Sequence, residues 1–161
     1  MRARDLAEEY PSVTLDSDVL EAARLLADRR LPGLLVLDEH DRPQAVLPAS
    51  QLVKVLVPSY AIEDPALARV IDEEHADRLC QALAGRPVSE ALPPVRERQK
   101  PPTTDADDTA LEVAALMARE RSPLVAVMEG LGDDSHARGT PPRMLGVITA
   151  AHLLDRLLGV T

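Results

Sequence analysis

The sequence predicts an α/β (α+β) fold made of two copies of one strand-helix-strand-strand-helix unit, and three observations carry that expectation. First, Val19 to Leu37 aligns without a gap on Ala110 to Met128, an offset of 91, with Leu20/Leu111, Glu21/Glu112, Ala23/Ala114, Leu25/Leu116, Ala27/Ala118, Arg30/Arg121, Pro32/Pro123 and Val36/Val127 identical. A repeat of this length marks a duplicated structural unit. Second, the stretch Gly146-Val147-Ile148-Thr149-Ala150-Ala151-His152-Leu153-Leu154 has an upstream copy in Ala45-Val46-Leu47-Pro48-Ala49-Ser50-Gln51-Leu52, now at an offset of 101. In both, β-favouring residues run straight into apolar residues at helical spacing, the pattern of a strand turning directly into a helix. Third, Gly33 to Leu37 and Leu124 to Met128 are apolar without alternation, as strands covered on both faces are.

Taken in order, Val13-Thr14-Leu15 is a short strand, and Asp18 caps the helix that follows. Its counterpart Thr109 forms a capping box with Glu112. Leu20, Ala23, Leu26 and Ala27 are expected to line the inner face of the first helix. Pro32 and Pro123 stop the two helices, because a proline disfavours helical geometry in the residue before it. Between the copies, Asp64-Pro65 opens and Gly85 and Pro87 close a linker of one or two helices, with Leu67, Val70, Ile71, Leu79 and Leu83 as an apolar stripe and Asp72, Glu73, Glu74 and Asp77 as a solvated acidic side. Val88 to Leu92 mirrors Ala3 to Leu6 as a short lead-in helix, and Arg96 to Pro102 is a basic, proline-rich approach to the second copy. The two offsets differ by ten residues, an insertion in the second copy that falls in the glycine-rich loop Glu129 to Pro142. The resulting organisation is a first unit at 1–57, a helical linker at 58–87 and a second unit at 88–161, together one globular pair.

Composition narrows the function. The chain has 161 residues, 45% hydrophobic, enough for a core without staples. It has no Phe or Trp and only two Tyr, so aromatic platforms for stacking bases are essentially absent. A formal net charge of -9 argues further against nucleic acid, whose binding rests on Lys and Arg neutralising phosphates. One cysteine, Cys80, forms no internal disulfide and fits a reducing compartment, so a cytoplasmic location is expected; Cys80 itself reads as a small buried hydrophobe rather than a nucleophile. No apolar run approaches the roughly 18 residues that span a bilayer, so no direct membrane insertion is expected. His40, His75, His136 and His152 show no helical pairing, and no metal is expected. There is no nucleophile elbow, no phosphate loop and no dinucleotide fingerprint, so the chain reads as a non-enzyme.

The duplicated unit, ending in Gly-Val-Ile-Thr-x-x-x-Leu-Leu, resembles a tandem cystathionine-beta-synthase (CBS) domain pair over nearly all the chain apart from the linker and the second-copy loop. What the resemblance implies is a stand-alone regulatory module in which two pseudo-symmetric units pack sheet to sheet. It also implies clefts that often hold adenosine ligands such as AMP, ADP, ATP or S-adenosylmethionine, with no cofactor required. A homodimer and a regulated partner enzyme or membrane transporter are further implications.

Carried over by position, the family's junction Thr matches Thr149, where a hydroxyl and helix N-terminal amides suit a phosphate or ribose oxygen. The family's ribose-gripping Asp is His152 here. The remaining contacts implied for the second site come from Pro102 and Thr103, from Ser122, Pro123 and Leu124, and from Arg143, with Lys100 as a further positive charge. The first site is degenerate. Pro48 and Gln51 replace the Thr and Asp, so a backbone donor and a hydroxyl are lost together; Pro32, Gly33 and Arg42 complete that set. Thr149 also reads as a plain helix cap and His152 as a helix-surface residue, and Arg42, Arg143 and Lys100 each suit a solvated surface. Two functions remain open at this point: a sensor of an adenosine nucleotide acting mainly through the second-unit site, and a ligand-free interaction or dimerisation scaffold.

Overall fold

The computed structural model describes residues 1–70, 72–131, 139 and 141–159. Ile71, His136 and most of the 129–142 insertion lie outside them. In chain order the elements are α1 (Ala3–Leu6), β1 (Ser12–Thr14), α2 (Val19–Arg29), β2 (Gly33–Leu37), β3 (Pro43–Pro48), α3 (Ala49–Leu56), α4 (Ser59–Glu63), α5 (Pro65–Ala68), α6 (Glu73–Gln81) and α7 (Val88–Ala91). A short 3-10 turn at Val95–Glu97 precedes β4 (Thr103–Asp105), α8 (Ala110–Glu120), β5 (Leu124–Glu129), β6 (Arg143–Thr149) and α9 (Ala150–Leu158). The strands form two three-stranded sheets, ordered β1-β2-β3 and β4-β5-β6. The mixed α+β fold and its duplicated element order are those expected from sequence.

The chain folds as two compact units that interleave in sequence. One gathers Met1–Pro11, Leu37–Ala45 and Gln99–Thr161; the other gathers Ser12–Val36 and Val46–Arg98. Each lead-in helix therefore serves the repeat it does not introduce. Helix α1 packs on α8 and β6, while α7 packs on α2 and α3. Equivalent antiparallel bridges fasten the two lead-ins, Arg2 to the α8 cap residue Thr109, and Pro87 to the α2 cap residue Asp18.

In the first of these units, Ala3 and Leu6 of α1 join Ala106, Ala110, Val113, Met117, Val125, Val127, Ile148 and Leu153 in one buried cluster. Burying a large apolar side chain contributes roughly 1.5–3 kcal/mol. Strand β4 pairs parallel with β5 and β5 antiparallel with β6. The N-terminal segment then adds to the free edge of β6: Glu8 and Val147 exchange both backbone hydrogen bonds, each 2.9 Å. Gly146 permits that approach, because a Cβ there would sit 2.7 Å from the Glu8 carbonyl oxygen. Polar contacts complete the docking. The amides of Ala3 and Arg4 donate to Asp108 and Ala106, and the Arg4 guanidinium lies 2.8 Å from the Asp107 carboxylate, which reinforces its positive charge.

In the other unit, Val19, Ala22 and Leu26 are the buried face of α2. This corrects the expected face: Ala27 is exposed, and Val19 and Ala22 point inward. The same rotation holds in α8, where Ala110, Val113 and Met117 occupy the equivalent positions. Both helices end in an arginine with left-handed backbone, Arg30 and Arg121, each at φ 52°. Among its described residues the linker holds three helices rather than one or two, since Pro58 and Pro65 each begin a new turn and break a continuous helix. Its expected stripe is only half realised: Leu83 is buried, whereas Leu67 and Val70 are exposed. Cys80 is exposed too, contrary to the buried role expected of it, because α6 buries none of its residues.

Asp18 ties the linker's end to this unit. Its carboxylate caps α2 through the Leu20 and Glu21 amides and also accepts from Gly85, at 2.6 Å. The Gly85 N–H, helped by the Glu21 and Leu20 amides and the charge of Arg24, holds the carboxyl below its ordinary value.

Substitutions at Gly146, Arg121 and Asp18 probe this packing. Gly146→Ala is expected to cost about 1–3 kcal/mol in urea unfolding, as the Glu8 carbonyl must move off the sheet edge. Arg121→Gly is expected to stabilise by roughly 1 kcal/mol, since glycine adopts the left-handed cap without the steric penalty of a Cβ. For Asp18, a depressed carboxyl contributes stability that is full above the unfolded value near about 4 and is lost as pH falls through the folded one. The melting-temperature gap between the wild type and Asp18→Ala should therefore be wide near pH ~7 and close as the pH falls below the ordinary carboxylate value of about 4.

Candidate functional site

The register of the β4-β5-β6 sheet decides which of the expected site residues meet. Thr103 pairs with Ala126, and Leu124 with Thr149, so the starts of the parallel strands β4 and β5 and the finish of antiparallel β6 share one end of the sheet. Pro102, Thr103, Ser122, Pro123, Leu124, Thr149 and His152 gather there. Backbone links close the cluster: the Ala126 amide donates to the Pro102 carbonyl at 2.9 Å, and the Ala150 amide to the Pro123 carbonyl at 2.8 Å.

Arg143 is not among them. It opens β6 opposite Glu129, with its guanidinium 3.1 Å from the Glu129 carboxylate, and six residue rises separate it from Thr149, about 20 Å. Nearness in sequence to the third strand suggests a place beside the site; the direction of that strand carries Arg143 away. Arg42 is displaced for the same reason. It lies in the β2–β3 turn, where the Asp38 carboxylate accepts from its amide at 3.0 Å and the Asp38 amide donates to the Arg42 carbonyl. Lys100 is exposed in the approach to β4.

Within the second-repeat cluster the side chains divide by exposure. Leu124 is buried and belongs to the core, so only its backbone faces the sheet end. Ser122 spends its hydroxyl locally, donating to the Leu124 carbonyl at 2.7 Å. Thr103 and Pro123 are exposed, and Pro102 and Thr149 half-buried. Thr149 is the N-cap of α9, accepting the His152 amide at 3.2 Å. The hydroxyl keeps its own proton for a further acceptor. The helix N-terminus thus has two of its amides, Ala150 and His152, already bonded within the protein. What it offers is a hydroxyl donor, the α9 dipole and the apolar edges of two prolines.

The first-repeat set is arranged likewise and is poorer in polar groups. The Ala49 amide donates to the Pro32 carbonyl at 3.0 Å, the same link that Ala150 makes to Pro123. Pro48 occupies the N-cap of α3 and supplies no side-chain bond. Gly33 is packed so closely that a Cβ would meet the Leu47 carbonyl oxygen at 3.0 Å.

The position three residues after each junction is committed elsewhere. His152 Nδ1 lies 3.4 Å from the Glu8 carboxylate, its side chain 23% exposed. Gln51 Nε2 donates to the Ala91 carbonyl at 3.1 Å. Glu8 and Ala91, the partners in these two contacts, escape a reading by repeats. Both sit in lead-in segments, and nothing in the sequence signals that a lead-in serves the other copy.

A twice-repeated α+β unit with a strand-to-helix junction at the end of each sheet defines a tandem-repeat fold of known kind. A model of the CBS domain family matches residues 3–58. A solved CBS domain-containing protein from Kribbella flavida is 49% identical, with 98% of this chain and 99% of that one covered and a TM-score of 0.82. The chain belongs to the CBS domain family. More distant structures share the fold. CBSX2 in complex with AMP is 15% identical over 99% of this chain and 97% of its own, with a TM-score of 0.60. The CBS domain of the bacterial CNNM/CorC family Mg2+ transporter, in complex with ATP, is 15% identical over 99% and 88%, with a TM-score of 0.63. No curated protein matches the chain. Among the described residues no helix is long and apolar enough to cross a membrane.

Proposed function

We propose that this chain is a regulatory CBS-pair module, not a catalyst, that takes an adenosine ligand (AMP, ADP, ATP or S-adenosylmethionine) at the second-repeat sheet end and thereby modulates a partner enzyme or transporter in the cytoplasm. The observation that carries this reading is the convergence of Thr149 with Pro102, Thr103 and Pro123 at one end of the β4-β5-β6 sheet. A flat base suits the edges of exposed Pro123 and half-buried Pro102, and a ribose or phosphate oxygen suits the Thr149 hydroxyl at the α9 N-terminus. AMP and ATP in the two distant structures support the ligand class, and the transporter named for one of them supports the partner class. The first-repeat end lacks a hydroxyl at Pro48, so binding is asymmetric.

A calorimetric titration with AMP, ADP, ATP and S-adenosylmethionine is expected to give saturable heat for at least one of them. Thr149→Ala is expected to weaken that ligand roughly tenfold, the loss of one well-placed hydrogen bond, with the urea midpoint monitored for cap loss. No heat at millimolar ligand would remove the sensor reading.

A second reading, a ligand-free dimerisation scaffold, is favoured by the engagement of Gln51 and His152 within the protein and by the apolar outer face of α9. Leu154, Leu157 and Leu158 on that helix are 55%, 45% and 71% exposed. Three neighbouring exposed leucines on one helix suit burial against a second copy. Both readings expect a homodimer. Light scattering should give twice the chain mass for the wild type and the chain mass for Leu154→Glu/Leu158→Glu; a wild-type monomer at tens of micromolar would count against the dimer.

A further inference from the structure

We infer that the two lead-ins are built as a clamp and a release: the N-terminal one is locked to the edge of β6, whereas the exit from α7 is barred from the equivalent edge of β3 and opens away from it. The copies correspond residue by residue here. The amides of Ala3 and Val88 donate to the carbonyls of Asp108 and Ser17, and those of Arg4 and Ser89 to Ala106 and Leu15, so the lead-ins match at an offset of 85 (88 − 3) and their acceptors at 91 (108 − 17). Both short helices also end on the same bond, from Ala7 to Ala3 and from Leu92 to Val88. One residue further on, Glu8 becomes Pro93, and the β6 residues Gly146 and Val147 become Ala45 and Val46 of β3.

Those two changes remove the strand addition from opposite sides. Pro93 has no N–H to give to a strand edge. Ala45 carries the Cβ that Gly146 lacks, and a Cβ at 146 would sit 2.7 Å from the carbonyl oxygen of the paired lead-in residue. One change deletes a donor and the other holds the backbones apart. Among the described residues no backbone hydrogen bond joins Pro93 to Val46; the Pro93 carbonyl accepts instead from Arg98 Nε at 3.0 Å, which folds the exit back on itself around the turn at Val95–Glu97. A third difference points the same way, since Arg4, which pairs with Asp107, is matched by uncharged Ser89. Helix α7 keeps the burial of Val88 and Ala91 and the bond from Gln51 to the Ala91 carbonyl, which hold the helix itself and reach no further along the chain. Proline beside a sheet edge blunts that edge against pairing. Residues 93–98 can therefore leave β3 while α7 stays docked, whereas the N-terminal segment leaves β6 only by breaking the two hydrogen bonds between Glu8 and Val147.

The test is amide hydrogen exchange in the full chain, resolved by residue with NMR and corrected for intrinsic rates. In the wild type the Val46 amide is expected to exchange at least about tenfold faster than its counterpart Val147, which has the Glu8 carbonyl as acceptor. Ala45→Gly/Pro93→Glu rebuilds in the first copy the arrangement that Gly146 and Glu8 make in the second. It is expected to slow Val46 by about tenfold while leaving Val147 within about twofold. Ala45 is fully buried, so should the double variant fail to fold, the wild-type comparison decides by itself. Equal protection of Val46 and Val147 in the wild type, or a folded double variant with Val46 exchange unchanged, would overturn the inference.

Discussion

Everything at the second-repeat end of the molecule depends on the pair of backbone hydrogen bonds between Glu8 and Val147. They form only because residue 146 has no side chain to hold the two backbones apart. Through them α1 reaches β6 and α8 and supplies Ala3 and Leu6 to a core that also holds Val125, Val127 and Ile148. The sheet that positions Thr149 is thus completed by residues more than a hundred positions away in sequence. Local propensity plays a minor part: α1 has four residues, too few to be stable by itself. The burial of Ala3 and Leu6, the backbone links to Ala106 and Asp108, and the Arg4 ion pair hold it in helical form.

Much of the fold is legible because duplication makes the sequence testify twice. The caps at Asp18 and Thr109, the stops before Pro32 and Pro123, and the unbroken apolar runs of β2 and β5 each have a local physical cause that a residue pattern records. The departures have physical causes too. Periodicity misplaces the inner face of α2 because Ala is ambiguous between core and surface, and Ala22 turns inward while Ala27 does not. The linker stripe fails because three short helices do not share one continuous periodicity. Cys80 has apolar neighbours in sequence but lies on a helix that buries nothing.

The candidate site is legible up to the point where strand direction matters. Thr149, Pro102, Thr103 and Pro123 follow from position within the repeat, and parallel and antiparallel pairing does bring those positions to one end. Arg143 and Arg42 stand near a strand's beginning, which in an antiparallel strand is the far end from the junction. Glu8 and Ala91 leave no trace in the sequence, since the contact that reveals them exists only once the lead-ins have exchanged. The fold also limits what the site can offer: the amides of Ala150 and His152, nominally available at a helix N-terminus, are bonded to Pro123 and Thr149.

The interleaving of the two compact units has a consequence for how the molecule can be divided. A cut in the linker gives an N-terminal piece holding the first repeat together with residues 1–11, which belong to the other unit, and a C-terminal piece without them. Neither product is a self-sufficient half. The unit that holds the second repeat draws on residues 1–11 and 37–45 as well as 99–161, so no single cut in the chain releases it whole. A pair of duplicated units that trade their leading segments has in this way become a single inheritable object: its halves can drift apart in sequence, as Pro48 and Thr149 have, but neither can be lost, copied or shuffled without the other.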